Sequence, residues 1–141
     1  AYGTLVWADS DTVAACLVPG ESASPLNTVS LLYLSSGKTA SILSAAQSAD
    51  EGYEIVDVRC SENGIVWTES SAYESAWRVY TAKLSNGSAA SLTQGDQGDG
   101  NWLIPSIAAV GETAFWQVCP NTSGESAAER SALKSASALA T

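Results

Sequence analysis

The sequence predicts an all-β fold assembled from repeated four-stranded antiparallel sheets, and three observations carry that expectation. Residues 50–67 (DEGYEIVDVRCSENGIVW) align without a gap on residues 99–116 (DGNWLIPSIAAVGETAFW) at an offset of 49. This matches Asp50 with Asp99, Tyr53 with Trp102, Ile55 with Ile104, Val58 with Ile107, Val66 with Phe115 and Trp67 with Trp116. Residues 29–43 (VSLLYLSSGKTASIL) match 79–93 (VYTAKLSNGSAASLT) at an offset of 50. The balance of the composition is Ser, Ala, Gly and Thr, which suits strands joined by tight turns better than long amphipathic helices. Self-similarity near 50 residues in strand-like runs is the sequence mark of repeat folds such as the β-propeller.

Each element follows from local pattern. In the middle unit, 55–60 (IVDVRC) is a first strand, Glu62-Asn63-Gly64 a turn, and 64–69 (GIVWTE) a β-branched and aromatic second strand. Residues 77–84 (WRVYTAKL) form the third, Ser85-Asn86-Gly87 the hairpin turn, and 88–93 (SAASLT) a short fourth. In the first unit, 4–8 (TLVWA) is read as a second strand, 28–34 as a third and 39–43 as a fourth. The longer connection from Trp7 to Val29 is read as a loop insertion over 10–27, punctuated by Pro19-Gly20 and Pro25. In the last unit, 104–110 and 113–119 are the first two strands, with Gly111 at the turn. The tail 126–140 combines a capping box, Ser126 with Glu129, and good helix formers with a repeat that demands a strand at 131–138. Strand is the preferred reading, because repeat context overrides propensity.

These units (about 1–43, 50–93 and 99–141) make one partial β-propeller domain over 1–141. On this reading the chain starts after the first strand of one blade and stops before the last strand of another. A closed ring needs about four to eight blades, whereas this is about two and a half to three. Each outer blade would then leave an apolar face uncovered, at a cost of about 10 kcal/mol if ~25 cal/mol applies per Å2. The isolated chain is therefore expected to associate: the remaining blades are supplied by another chain or copy, or the sequence is cut from a longer protein.

Composition excludes several classes of function. Six Lys+Arg against fifteen Asp+Glu give a net charge of −9, a surface that repels phosphate, so nucleic acid is not an expected partner. No run reaches the ~18 apolar residues that would span a bilayer as a helix. The chain has no histidine, no Gly-x-Ser-x-Gly elbow and no glycine-rich phosphate loop. A Ser-His-Asp or Cys-His arrangement cannot be built from it, and the chain is expected not to be an enzyme. Cys16, Cys60 and Cys119 lack CxxC spacing, which argues against structural zinc. They are read either as one disulfide with one buried thiol or as three buried thiols, the second being preferred because Cys60 and Cys119 lie in strand-like runs. Asp96-Gln97-Gly98-Asp99-Gly100-Asn101 has the oxygens and glycines of a calcium loop, but Gly98 stands at the third position and no glutamate closes it. A plain turn is the better reading, and no metal or cofactor is expected.

At 61–93 (SENGIVWTESSAYESAWRVYTAKLSNGSAASLT) the chain resembles the repeat of TolB-like β-propellers. Ser61-Glu62-Asn63-Gly64 stands for the family's Ser-Pro-Asp-Gly turn, Trp77…Tyr80 for its aromatic strand, and Ser85-Asn86-Gly87 with Leu92-Thr93 for the end of the repeat. Arg59-Cys60 replace the usual Trp-Ser-Pro before the turn. The resemblance implies a six-bladed propeller in an exported, extracytoplasmic bacterial protein that binds proteins or ligands.

Candidate binding residues follow from aromatic placement. The loops Asp50-Glu51-Gly52-Tyr53 and Asp99-Gly100-Asn101-Trp102 join successive units, where Tyr53 and Trp102 could stack on a sugar or a cation. Their recurrence at the repeat period is explained more simply by packing between blades. Trp7, Trp67 and Trp116 are read as one core position. Tyr73, Trp77 and the 10–27 insertion do not all repeat and are better placed for function. The leading expectation is a non-enzymatic module that binds a protein or peptide through its loop face. The alternatives are a carbohydrate or small-ligand module using Tyr53, Tyr73, Trp77 and Trp102, or the propeller part of a larger hydrolase.

Overall fold

Period-two alternation decides which side of each strand is buried, and here it builds three sheets that stack face to face. The structure, a computed structural model, describes residues 5–7, 12–19, 26–71, 75–85, 87–122 and 129–137. These form eleven strands in three antiparallel sheets. The first sheet runs β1 (Leu5–Trp7), β2 (Val13–Pro19), β3 (Leu26–Tyr33) and β4 (Thr39–Leu43) in sequence order. The second runs β5 (Tyr53–Cys60), β6 (Gly64–Ser71), β7 (Trp77–Ser85) and β8 (Ser88–Gly98). The third has β9 (Ser106–Val110), β10 (Thr113–Val118) and β11 (Ala132–Ala136). A 3-10 turn, Ala49–Glu51, precedes β5, and Glu129 and Arg130 are helical ahead of β11. Among the described residues no helix is long and apolar enough to cross a membrane.

Like packs on like. Val13, Ala15, Val29, Leu31 and Leu43 of the first sheet meet Ile55, Val58, Cys60, Ile65, Trp67, Tyr80 and Ala82 on one face of the second. The opposite face of the second sheet, with Val66, Trp77 and Val79, meets Ile107, Ala109, Ala114, Trp116 and Val118 of the third. Trp67 and Trp116 both sit on the second strand of their sheet and point at the sheet before. Connections echo this order: Thr12 Oγ1 donates to Glu62 Oε1 at 2.8 Å, and Ser61 Oγ donates to the Gly111 carbonyl at 2.7 Å. The turn between the first two strands of each sheet thus binds the same turn of the next.

The polar content of the two seams differs. Between the first and second sheets, buried Glu69 accepts hydrogen bonds from the Gln47 and Ser48 backbone N–H groups and from Trp67 Nε1. Between the second and third, the buried Thr68 Oγ1, Thr81 Oγ1 and Trp77 Nε1 make no hydrogen bond.

The first sheet corrects the strand reading of the sequence. Residues 13–19, expected inside a loop insertion, form β2, and within the run 4–8 the described residues 5–7 form β1, the first strand of the sheet. Val13-Ala14-Ala15-Cys16-Leu17-Val18 is an unbroken apolar run, which suits a strand covered on both faces. Pro19 is the last residue of the strand and does not disqualify it. The first sheet therefore has its first strand, contrary to expectation. Trp7 lies on that strand opposite Ala15, and does not share the second-strand position of Trp67 and Trp116. In the second sheet β8 runs five residues past Thr93, because Trp77, Arg78 and Val79 pair with Gly98, Gln97 and Asp96. Asp96–Gly98 is thus strand, and only the residues after it turn. The third sheet starts at Ser106 instead of Ile104, since Pro105 has no N–H for the ladder. The tail takes the strand form at Ala132–Ala136. Cys60 is a buried thiol and Cys119 a half-buried one; the side chain of Cys16 lies outside the described residues.

Candidate functional site

The segment leading into the second sheet fixes the first aromatic of the site. After the 3-10 turn, Gly52 takes a left-handed conformation (φ 81°) that reverses the chain into Tyr53. Tyr53 is only 9% exposed, and the Arg78 guanidinium lies 4.4 Å above its ring centre. Glu51 holds that guanidinium with two bonds of 2.9 and 2.7 Å, and Ser48 Oγ accepts a third. Ser48 Oγ also bonds the Tyr80 hydroxyl at 2.8 Å. The paired charges reinforce one another: the hydrogen bond from Arg78 lowers the Glu51 carboxyl, and Glu51 raises the already high Arg78 guanidinium. The face of Tyr53 is occupied from within the protein.

The segment leading into the third sheet is built alike. Asp99 accepts from the Asn101 backbone N–H at 2.9 Å and from Asn101 Nδ2 at 3.2 Å, and its carbonyl accepts from the Trp102 N–H. Trp102 forms an isolated bridge with Pro120, and the Arg130 guanidinium lies 5.3 Å from its ring centre. Both connecting aromatics therefore carry an arginine. Trp102 differs in being half-buried. Leu103 and Ile104, which follow it, are 50% and 45% exposed, whereas Ile55, the repeat counterpart of Ile104, is 3% exposed. Pro105 keeps Ile104 out of the ladder and hence out of the core. That signal was in the sequence, although the repeat alignment concealed it.

Trp77 opens β7 and is 1% exposed, between the second and third sheets. It pairs with Gly98, where a Cβ would stand 2.3 Å from Trp77 Cζ2 and 2.5 Å from Cε2. Only glycine lets backbone lie against the indole. Gly98→Ala is therefore expected to destabilise the fold by ~1–3 kcal/mol through overpacking, measured by denaturant unfolding. A neutral effect would mean that Trp77 is not wedged there.

These elements bring three of the four sequence-predicted residues to one end of the second sheet. A cleft of about 360 Å3 is lined by Tyr53, Trp77, Gln97, Gly98 and Asp99. Beside it a hollow of about 190 Å3 is lined by Trp77, Gln97, Trp102, Val118 and Lys134. Tyr73 lies outside the described residues. Gln97, Lys134, Arg78 and Arg130 were missed by sequence reasoning, because their roles come from contacts between units far apart in the chain. The described lining offers amide, carboxylate and ammonium groups beside aromatic edges.

Below the hollow, Asp96 ties the third sheet to the second. Its Oδ2 accepts from Trp116 Nε1 at 2.8 Å and from Lys134 Nζ at 2.7 Å, and its Oδ1 accepts from the Gln97 N–H at 2.9 Å. Burial pushes this carboxyl up, but the Lys134, Trp116 and Gln97 donors together outweigh it and hold it below the ordinary range. A carboxyl depressed in the folded state contributes stability that is complete above its unfolded value, about 3.9, and is lost as pH falls through the lower folded value. Acid titration of unfolding should show this loss in the native chain and a flatter profile in Asp96→Asn. Identical profiles would remove Asp96 from the account.

Compared with known proteins, the chain matches no family model, no curated protein and no solved structure.

Proposed function

We propose that the three sheets are successive blades of a β-propeller of the TolB-like kind, acting as a non-enzymatic extracytoplasmic module that holds a protein or peptide partner on its loop face. The remaining blades would come from another chain, from further copies of this one or from more of the same protein. Support for the blade reading comes from the stacking, in which one face of each sheet covers the opposite face of the next, and from the repeated turn-to-turn bonds of Thr12 and Ser61.

The partner reading rests on one observation, the exposed pair Leu103 and Ile104 beside Trp102 and the polar cleft. An apolar strip next to hydrogen-bonding groups suits a polypeptide, whose side chains and backbone use both. Cross-linking through residues 99–104 should recover a partner, and Leu103→Asp with Ile104→Asp should weaken its binding about tenfold or more, as loss of a central apolar contact does. Unchanged binding would overturn the reading.

Carbohydrate or small-ligand binding is the second reading, favoured by the volume of the cleft and the half-exposed Trp102. It is disfavoured by the state of the other aromatics, since sugars stack on open rings and those of Tyr53 and Trp77 are covered. Glycan-array binding that survives the Leu103/Ile104 change and is lost in Trp102→Ala would establish it.

A further inference from the structure

The repeat lets one seam be compared with the next, position by position. Where the first sheet meets the second, the chain fills the space near Tyr53 with its own polar groups. Glu69 takes three donors, Ser48 Oγ joins Arg78 to the Tyr80 hydroxyl, and Glu51 closes on Arg78 with two bonds. The offset of 49 that matches Tyr53 with Trp102 and Trp67 with Trp116 gives these groups counterparts at the next seam. Gln97 stands for Ser48, Gly100 for Glu51 and Val118 for Glu69. Lys134, the partner of Trp116 across the ladder, stands for Tyr80, the partner of Trp67.

Four of these counterparts, Gln97, Trp102, Val118 and Lys134, line the hollow of about 190 Å3 together with Trp77. The hollow therefore lies where the earlier seam holds its polar network. Glycine has no side chain to reach over it, and valine is shorter than glutamate. Both exchanges remove volume and a carboxylate together.

Charge shifts with volume. Around Ser48 two carboxyls, Glu51 and Glu69, accompany one cation, Arg78. Around the hollow one carboxyl, Asp96, accompanies two cations, Lys134 and Arg130. Asp96 accepts from Trp116 Nε1 as Glu69 accepts from Trp67 Nε1, and it engages Lys134. Arg130 lies over Trp102 as Arg78 lies over Tyr53. Among the described residues no carboxylate pairs with it, since Gly100 stands where Glu51 would. Asp99 and its counterpart Asp50 are both exposed and leave the comparison unchanged. Gln97 Oε1 is taken by Gln94 Nε2, so the side chain has its NH2 left to offer. Lys134 spends one of three N–H bonds on Asp96. The unspent polar groups at the hollow are donors, and they stand beside an indole.

We propose that the hollow at Trp102 binds a small organic carboxylate, whose anionic group supplies what Glu51 and Glu69 supply at the earlier seam and whose body lies against Trp102 and Val118. A volume of about 190 Å3 is below the ~300–1,000 Å3 of drug-sized sites, so the ligand is small, an aromatic acid or a sugar acid. This deepens the small-ligand reading and rests on it, and it is independent of the strip at Leu103 and Ile104.

Two acids and their neutral counterparts make the test: phenylacetate against phenylacetamide, and glucuronate against glucose. Each is titrated into the full 141-residue chain while the Trp102 indole N–H resonance is followed. At least one acid is expected to bind with a Kd of ~1 mM or below, about tenfold or more tighter than its neutral counterpart. Which acid binds identifies the body as aromatic or sugar. Arg130→Gln, at an exposed position, should weaken the acid about tenfold and leave the neutral compound unaffected. Gly100→Glu should abolish acid binding by providing the carboxylate from within. Equal binding of each acid and its neutral counterpart would overturn the proposal and leave the small-ligand reading standing. No binding of any of the four at about 10 mM would overturn both. Acid binding that neither substitution changes would also overturn the proposal, because the anion would then sit elsewhere.

Discussion

Trp67→Ala is expected to lower the free energy of unfolding by ~3–5 kcal/mol, as truncation of a fully buried aromatic does. The indole is fully inaccessible to solvent and stacks on Tyr80 with ring centres 5.5 Å apart and planes 19° from parallel. It fills the seam between the first two sheets, and its N–H satisfies buried Glu69 at 3.0 Å. Alanine would leave a cavity walled by stiff β-branched neighbours, with little means of collapsing it. Denaturant unfolding followed by circular dichroism measures the loss, because fluorescence changes with the tryptophan count. A loss below about 1 kcal/mol would place Trp67 outside the core, since surface positions behave so.

Removing Glu69 is expected to cost at least ~3 kcal/mol. Three donors converge on its carboxylate, two of them buried (Ser48 N–H and Trp67 Nε1) and one part-buried (Gln47 N–H), and Glu69→Ala would orphan the buried pair where each unmet group costs ~1–3 kcal/mol, less whatever water enters the space. Two of the donors, the Gln47 and Ser48 N–H groups, belong to the segment that carries the chain from the first sheet to the second. Loss of the acid should therefore loosen the same segment that positions Ser48, Arg78 and Tyr53. Glu69→Gln separates charge from shape: its oxygen can replace Oε1, which receives Gln47 and Trp67, while its NH2 would face the Ser48 N–H. Its loss should fall between those of the native chain and the alanine variant, by the same unfolding measurement. Equal losses for Gln and Ala would show that charge alone matters.

How much of this was legible depended on whether a contact lies within a repeat or between repeats. Trp67 and Trp116 could be read as core because their offset of 49 places them on equivalent strands. β2 could not, because reading Trp7 as the counterpart of Trp67 made 4–8 the second strand and turned the true second strand into an apparent insertion. The burial of Trp77 was hidden for a different reason. It sits at the end of its strand, and its cover comes from Gly98 across the ladder and from the third sheet. Arg78 over Tyr53 joins residues 25 apart in sequence, a pairing that no local pattern announces. The exposed Leu103 and Ile104 were announced by Pro105, whose effect on the ladder outweighs the resemblance of Ile104 to Ile55.

Among the described residues, Thr68 Oγ1, Thr81 Oγ1 and Trp77 Nε1 are left unmet between the second and third sheets, and they bear on the order in which the molecule comes apart. Water admitted there gains bonding partners at once, whereas water entering beside Glu69 must compete with bonds already made. The first fissure should therefore run along the former plane, shedding the β9–β11 layer while the other two layers remain joined.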